Sequence, residues 1–151
     1  MLTSDEFQEL RVRSFYLNGT RVCESLVLYL NFASLGWVSL TIGEGVAILS
    51  KDVPSEEIRL NEDVEGDPAY PVVLSAALER YVGKQLYNIF EYRINDISEG
   101  CVGVYFDCGG CGFSVMEEDG CLSFLDGKTF MGDDISMVEL EGWLGRPKEK
   151  Q

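Results

Sequence analysis

Short dipeptides that accept positive φ angles recur along this chain between runs of β-favouring side chains, and they restrict its fold more than any other feature. Asn18-Gly19, Gly43-Glu44-Gly45, Asn95-Asp96, Gly109-Gly110 and Asp119-Gly120 each separate two such runs. Asn-Gly and Asp-Gly suit two-residue hairpin turns, because both central residues of those turns need φ above zero. Before the midpoint, Val22 to Phe32, Trp37 to Ile42 and Val46 to Leu49 read as strands, with Ile58-Arg59-Leu60 as a shorter one. Trp37, Ser39 and Thr41 alternate with Val38, Leu40 and Ile42, the pattern of a half-buried strand. Later, Tyr87 to Ile94, Cys101 to Asp107, Gly112 to Glu117 and Cys121 to Leu125 are four short strands at meander spacing.

Two helices are also expected. Thr3 can cap the first, Glu6 stands at the capping-box spacing, and Phe7 and Leu10 would share its buried face. The second covers about 73–82: Leu74, Ala77, Leu78 and Tyr81 recur at i, i+3, i+4 and i+7, and Gly83 can end it. Residues 61–71 read as a loop restricted by Pro68 and Pro71. The sequence therefore predicts an α+β fold, mainly a meander-like antiparallel β-sheet with a short N-terminal helix and one helix near 73–82. The 151 residues, 46% of them hydrophobic, form one domain with a real core, and 144–151 is expected to be a frayed basic tail.

No apolar run reaches the roughly 20 residues that span a bilayer. The start, Met1 to Glu6, has no basic and apolar leader pattern, so the expected compartment is the cytoplasm. Five cysteines, an odd number, then suggest reduced thiols rather than a disulfide framework. Cys101, Cys108, Cys111 and Cys121 could offer zinc four thiolates, which makes a small zinc-binding domain one alternative. If 101–107 and 112–117 form a hairpin, however, Cys101 lies about 20 Å along its strand from Cys108. The preferred reading has Cys108 and Cys111 flanking a Gly-Gly turn, with Cys101 and Cys121 as small core residues. A redox Cys-x-x-Cys ordinarily opens a helix, whose dipole lowers the thiol pKa; here the context is a hairpin.

Charge narrows the function. Residues 95–141 carry eleven carboxylates and one base, Lys128, out of a net −14 for the chain, and there is no histidine. Such a field repels nucleic acid and anionic membrane and draws in a cationic partner. Lacking histidine, the chain lacks the commonest general acid–base at neutral pH. Glu91, Asp107, Glu117 and Glu118 could be paired for a carboxylate-based hydrolase, a further alternative, but no spacing among 26 acids identifies a pair. The reading is a non-enzymatic binder that needs no cofactor. Its contact residues are expected to be Glu117, Glu118, Asp119, Asp126, Asp133 and Asp134, with Glu62 and Asp63 of the 56–67 loop as second choice. Nearby aromatics, Phe130 among them, could serve as anchors.

The stretch YVGKQLYNIFEYRI from Tyr81 to Ile94, followed by GCVGVYF from Gly100 to Phe106, resembles the immunity proteins of bacterial polymorphic-toxin and contact-dependent inhibition systems. The resemblance covers about a quarter of the chain and transfers no residue role. It implies neutralisation of a toxin, often a nuclease with a basic groove that an acidic protein can fill as a phosphate mimic.

Overall fold

The computed structural model describes residues 4–55 and 68–141. Their regular structure is twelve antiparallel strands in two sheets that enclose one core. The first sheet contains β1 (Asp5–Leu17), β2 (Thr20–Phe32), β3 (Gly36–Gly43), β4 (Val46–Lys51), β5 (Pro68–Ala69), β6 (Val72–Leu74) and β7 (Gln85–Leu86). The second contains β8 (Asn88–Ile94), β9 (Cys101–Asp107), β10 (Gly112–Glu118), β11 (Cys121–Asp126) and β12 (Ile135–Glu139), in the order β11-β10-β9-β8-β12.

The fold is therefore nearly all β, and the α+β expectation is overturned at both of its helices. Where the N-terminal helix was expected, β1 pairs with β2 from Phe7↔Phe32 to Leu17↔Thr20. Phe7 and Leu10, three apart, are both buried because a register shift between Phe7 and Glu9 changes which face the strand presents. After the shift, Leu10, Val12 and Ser14 point inward in alternation. Where the second helix was expected, Val72–Leu74 pairs with Arg11–Arg13 of β1 as a strand, and Leu74 is exposed. The one helical element among the described residues is a single 3-10 turn, Glu79–Tyr81. It sinks Leu78 and Tyr81 into the core, and Ser75 Oγ accepts the Leu78 N–H at 3.2 Å.

The segment 68–86 runs back along β1 as one interrupted strand. β5 meets Tyr16–Leu17, β6 meets Arg11–Arg13 and β7 meets Asp5–Glu6. It then enters the second sheet through β8. The core is filled from both sheets: Phe7 packs on Phe32 at 5.2 Å and Phe113 at 5.9 Å between ring centroids, and Phe106 stacks on Phe113 at 4.8 Å. Asp5 is buried yet satisfied, since its carboxylate accepts the backbone N–H groups of Glu6, Ser34 and Leu35. It pins the β2–β3 turn.

Four of the five strands of the second sheet, β8 to β11, fall where the turn signals put them, β12 is an addition, and the turns adopt the expected angles. Asn18 and Gly19 have φ of 55° and 77°, and Asp119 and Gly120 have 55° and 81°. The strand expected at 58–60 lies outside the described residues, as do most of the 61–71 loop and the basic tail.

The thiols differ from expectation. Cys23 of β2 and Cys121 of β11 are joined by a disulfide, their Cα atoms 5.9 Å apart. β2 of one sheet lies against β11 of the other, which brings together two residues that the sequence gives no reason to pair. Cys121 is thus a cross-link rather than a small core residue, and the expectation of reduced thiols without a disulfide is overturned at Cys23 and Cys121. Among the described residues no helix is long and apolar enough to cross a membrane.

Candidate functional site

Strand register gathers the acids. Met116 of β10 stands opposite Gly103, Arg93 of β8 opposite Cys101, and Ile135 of β12 opposite Ile94. The Asp119-Gly120 turn, the 95–100 connection and the segment leading into β12 therefore share one end of the second sheet. That end carries Asp96, Glu99, Glu117, Glu118, Asp119, Asp133 and Asp134. The β3–β4 turn of the first sheet joins it, because Cys101 N–H donates to Gly45 O at 2.9 Å, and this turn adds Glu44.

Several of these acids occupy specific turn positions. Asp119 accepts positive φ at a hairpin tip, and Glu117 Oε2 accepts the Gly120 N–H at 2.7 Å. Asp96 and Glu44 also sit at positive φ, 66° and 52°. An aspartate tolerates this conformation; a glutamate is strained there by about 1 kcal/mol. Asn95 fixes the β12 approach, its N–H donating to Asp134 O at 2.7 Å and its Nδ2 to Asp133 O at 3.2 Å. Arg93 leaves this charge largely unneutralised. It pairs with the buried Glu91 at 2.6 Å and donates to the carbonyls of Ile97 and Ser98, so it shapes the loop from within. Apolar groups lie among the carboxylates: Phe130 is 81% exposed, and Ile97 and Met131 are also exposed.

Gly45 is required where the two sheets meet at this end. It has φ of 80°, and a Cβ there would fall 1.8 Å from Glu99 O.

Not every expected contact residue belongs to the cluster. Asp126 lies opposite Phe113, at the other end of the β10–β11 pair from the Asp119 turn, some 17 Å along the strand. There it pairs with Arg80 at 3.0 Å, and the Tyr81 hydroxyl shares its one proton between Asp126 Oδ1 at 2.6 Å and Gly112 O at 2.9 Å. Burial, reinforced by the Asp126 carboxylate, raises the Tyr81 pKa well above the ordinary tyrosine value. Glu62 and Asp63 lie outside the described residues. Glu44, Asp96 and Glu99 are additions that sequence reasoning missed. Their turn positions were legible, but not that four turns converge.

The four cysteines considered for zinc do not come together. Cys101 is buried at the start of β9, its thiol donating to Gly103 O at 3.2 Å; Cys108 and Cys111 are at the far end of the β9–β10 hairpin; Cys121 is in the disulfide. Among the described residues no three histidine, cysteine or carboxylate side chains are grouped to hold a metal ion. Of the carboxylates considered for hydrolysis, Asp107 and Glu117 stand at opposite ends of the sheet, and Glu91 is tied to Arg93.

Between the ends, the 127–134 segment crosses the outer face of the second sheet. Ser114 Oγ donates to Gly127 O, Thr129 N–H donates to the Tyr92 hydroxyl, and Lys128 Nζ lies 5.7 Å from the centre of the Tyr105 ring. Compared with protein-family models, with curated proteins and with solved structures, the chain matches none.

Proposed function

We propose that this protein binds and neutralises a basic protein, with a bacterial toxin domain as the partner class implied by its resemblance to immunity proteins. One observation carries the reading: eight carboxylates from four separate turns project from one end of the molecule, around exposed Phe130, Met131 and Ile97. A fold gains nothing in stability from concentrating like charge in this way; self-repulsion destabilises it. A partner rich in lysine and arginine offsets that repulsion, while the apolar side chains supply the desolvated anchors that make a charged contact tight.

In this reading the role is stoichiometric occlusion rather than catalysis. The acids accelerate encounter, and the aromatic and aliphatic groups slow dissociation. The test is co-expression with basic candidate toxin domains taken from the genes that flank its own, followed by measurement of complex formation by the purified pair. Growth rescue together with a one-to-one complex supports the proposal. Absence of a complex at low salt, or tight binding of DNA or RNA by this chain, overturns it.

A further inference from the structure

At the end of the second sheet opposite the acidic cluster, the β9–β10 hairpin closes between two cysteines. Cys108 N–H donates to Cys111 O at 2.9 Å across Gly109-Gly110, and Gly109 has φ of 90°. That backbone bond makes Cys108 and Cys111 facing residues at the base of the turn. Their surroundings differ sharply. Cys108 is buried at the edge of the core, whereas Cys111 is exposed. Cys111 lines a cavity of about 530 Å³ together with Arg80, Tyr81, Lys84 and Asp126.

This cavity reverses the charge character of the rest of the chain. Its one carboxylate is already engaged, by Arg80 and by the Tyr81 hydroxyl. Lys84 makes no ion pair with any described residue. An exposed thiol, a neighbouring thiol and two cationic side chains around an open cavity are the elements of a thiol–disulfide exchange site.

We propose that Cys108 and Cys111 form a reversible dithiol–disulfide pair, in which Cys111 meets an anionic low-molecular-weight disulfide held by Arg80 and Lys84, and Cys108 resolves the mixed disulfide. In the first step the Cys111 thiolate attacks one sulfur of the incoming disulfide. That S–S bond breaks, a mixed disulfide forms on Cys111, and the first thiol leaves, taking up the proton that Cys111 gave to solvent. In the second step Cys108 loses its proton and attacks Cys111 Sγ. The mixed disulfide breaks, the Cys108–Cys111 bond forms, and the second thiol leaves protonated. The pair is oxidised by two electrons and one disulfide is reduced to two thiols.

The asymmetry of the pair fits this order. Burial first, and then the Cys111 thiol beside it, push the Cys108 pKa up to about 12, so Cys108 keeps its proton at neutral pH and acts second. Cys111 has the access to solvent that the attacking thiol needs. No helix N-terminus is present here; Arg80 and Lys84 line the cavity beside Cys111, where they can hold the anionic groups of an incoming disulfide. This site is separate from the proposed partner surface, and neither depends on the other.

The experiment uses oxidised glutathione as the probe, at a series of ratios to its reduced form, on the full chain with Cys23–Cys121 intact. Thiols left free are alkylated and mapped by mass. The expected result is that Cys108 and Cys111 disappear together as a linked peptide, reversibly, while Cys101 remains free. Cys108→Ser should trap glutathione on Cys111. Lys84→Gln with Arg80→Gln should slow the reaction roughly tenfold, an effect that vanishes with an uncharged disulfide. Failure to form the 108–111 link at any ratio overturns the proposal, and so does an adduct on Cys111 that persists in the unaltered chain. Equal rates for the charge variant and the parent overturn the cationic capture.

Discussion

Cys23 and Cys121 are 98 residues apart in sequence, yet they are bonded across the gap between the two sheets. Among the described residues it is the one side-chain cross-link between the sheets. A closure of this length removes roughly 4–5 kcal/mol of chain entropy from the unfolded state in the loop-entropy account. Reducing the bond, or replacing both residues by serine, should therefore lower the denaturant midpoint substantially without altering β content. Urea titrations with and without dithiothreitol check this. The double variant should be insensitive to the reductant, and a parent protein equally insensitive would remove the disulfide from the account of stability.

What the sequence made legible, and what it did not, divides along a physical line. Turns were readable because they are local: a positive φ must be met by the residue that occupies it, so Asn18-Gly19 and Asp119-Gly120 announced their hairpins. The strands between them followed. The helices were misread because spacing of three and four is ambiguous in a strand that bulges. Phe7 and Leu10 are buried together through a register shift, and Leu78 and Tyr81 through one 3-10 turn. The disulfide and the convergence of Glu44 with Asp96, Asp119 and Asp134 are long-range facts, set by which strands lie side by side. Composition carried the sign of the charge, whereas topology gathers the acids at one end and sets Asp126 apart from them.

The contact between Gly45 and Glu99 should be intolerant of any side chain. Gly45→Ala places a methyl group 1.8 Å from a carbonyl oxygen at φ of 80°. The left-handed conformation alone costs roughly 1–2 kcal/mol, and relief of the overlap must move the backbone that receives the Cys101 N–H. A loss of more than about 2 kcal/mol is expected by urea unfolding. Gly19→Ala, at a similar φ but in open space, should lose less.

Stability should fall on the alkaline side. Burial, with Glu91 adding to it, pushes the Cys101 thiol up to about 11, and burial with Cys111 pushes Cys108 up to about 12. Tyr81 moves in the same direction. A folded pKa above the unfolded one means that the folded state holds the proton more tightly. The resulting stabilisation is complete below the unfolded thiol value of about 9 and is lost as pH climbs through the folded values. The urea midpoint should decline above that pH, and less steeply in Cys101→Ala and Cys108→Ala. An alkaline slope unchanged in both variants would assign the decline to other groups.

Glu44 gives a way to separate charge from stability. At φ of 52° before Gly45 it occupies a place that asparagine fills with less strain. Glu44→Asn should raise stability by about 0.5–1 kcal/mol while removing one carboxylate from the acidic end. Association with the basic partner should slow, although the protein has become more stable. If association is unchanged in Glu44→Asn, the β3–β4 turn lies outside the contact.

The strongest discrimination comes from reversing charge at the two ends of the second sheet. Glu117→Lys with Glu118→Lys, and Asp133→Lys with Asp134→Lys, change the clustered end. Asp126→Asn changes a carboxylate already paired with Arg80 at the other end. The first two variants should weaken neutralisation of the toxin domain and flatten the salt dependence of the on-rate; the third should leave both intact. The parent should associate markedly more slowly as salt rises, because the Debye length contracts from about 10 Å at 0.1 M to about 3 Å at 1 M. Circular dichroism establishes that each variant keeps its β-sheet. If Asp126→Asn abolishes neutralisation and the clustered reversals do not, the partner docks at the Arg80 end and the acidic cluster is only a solvated rim.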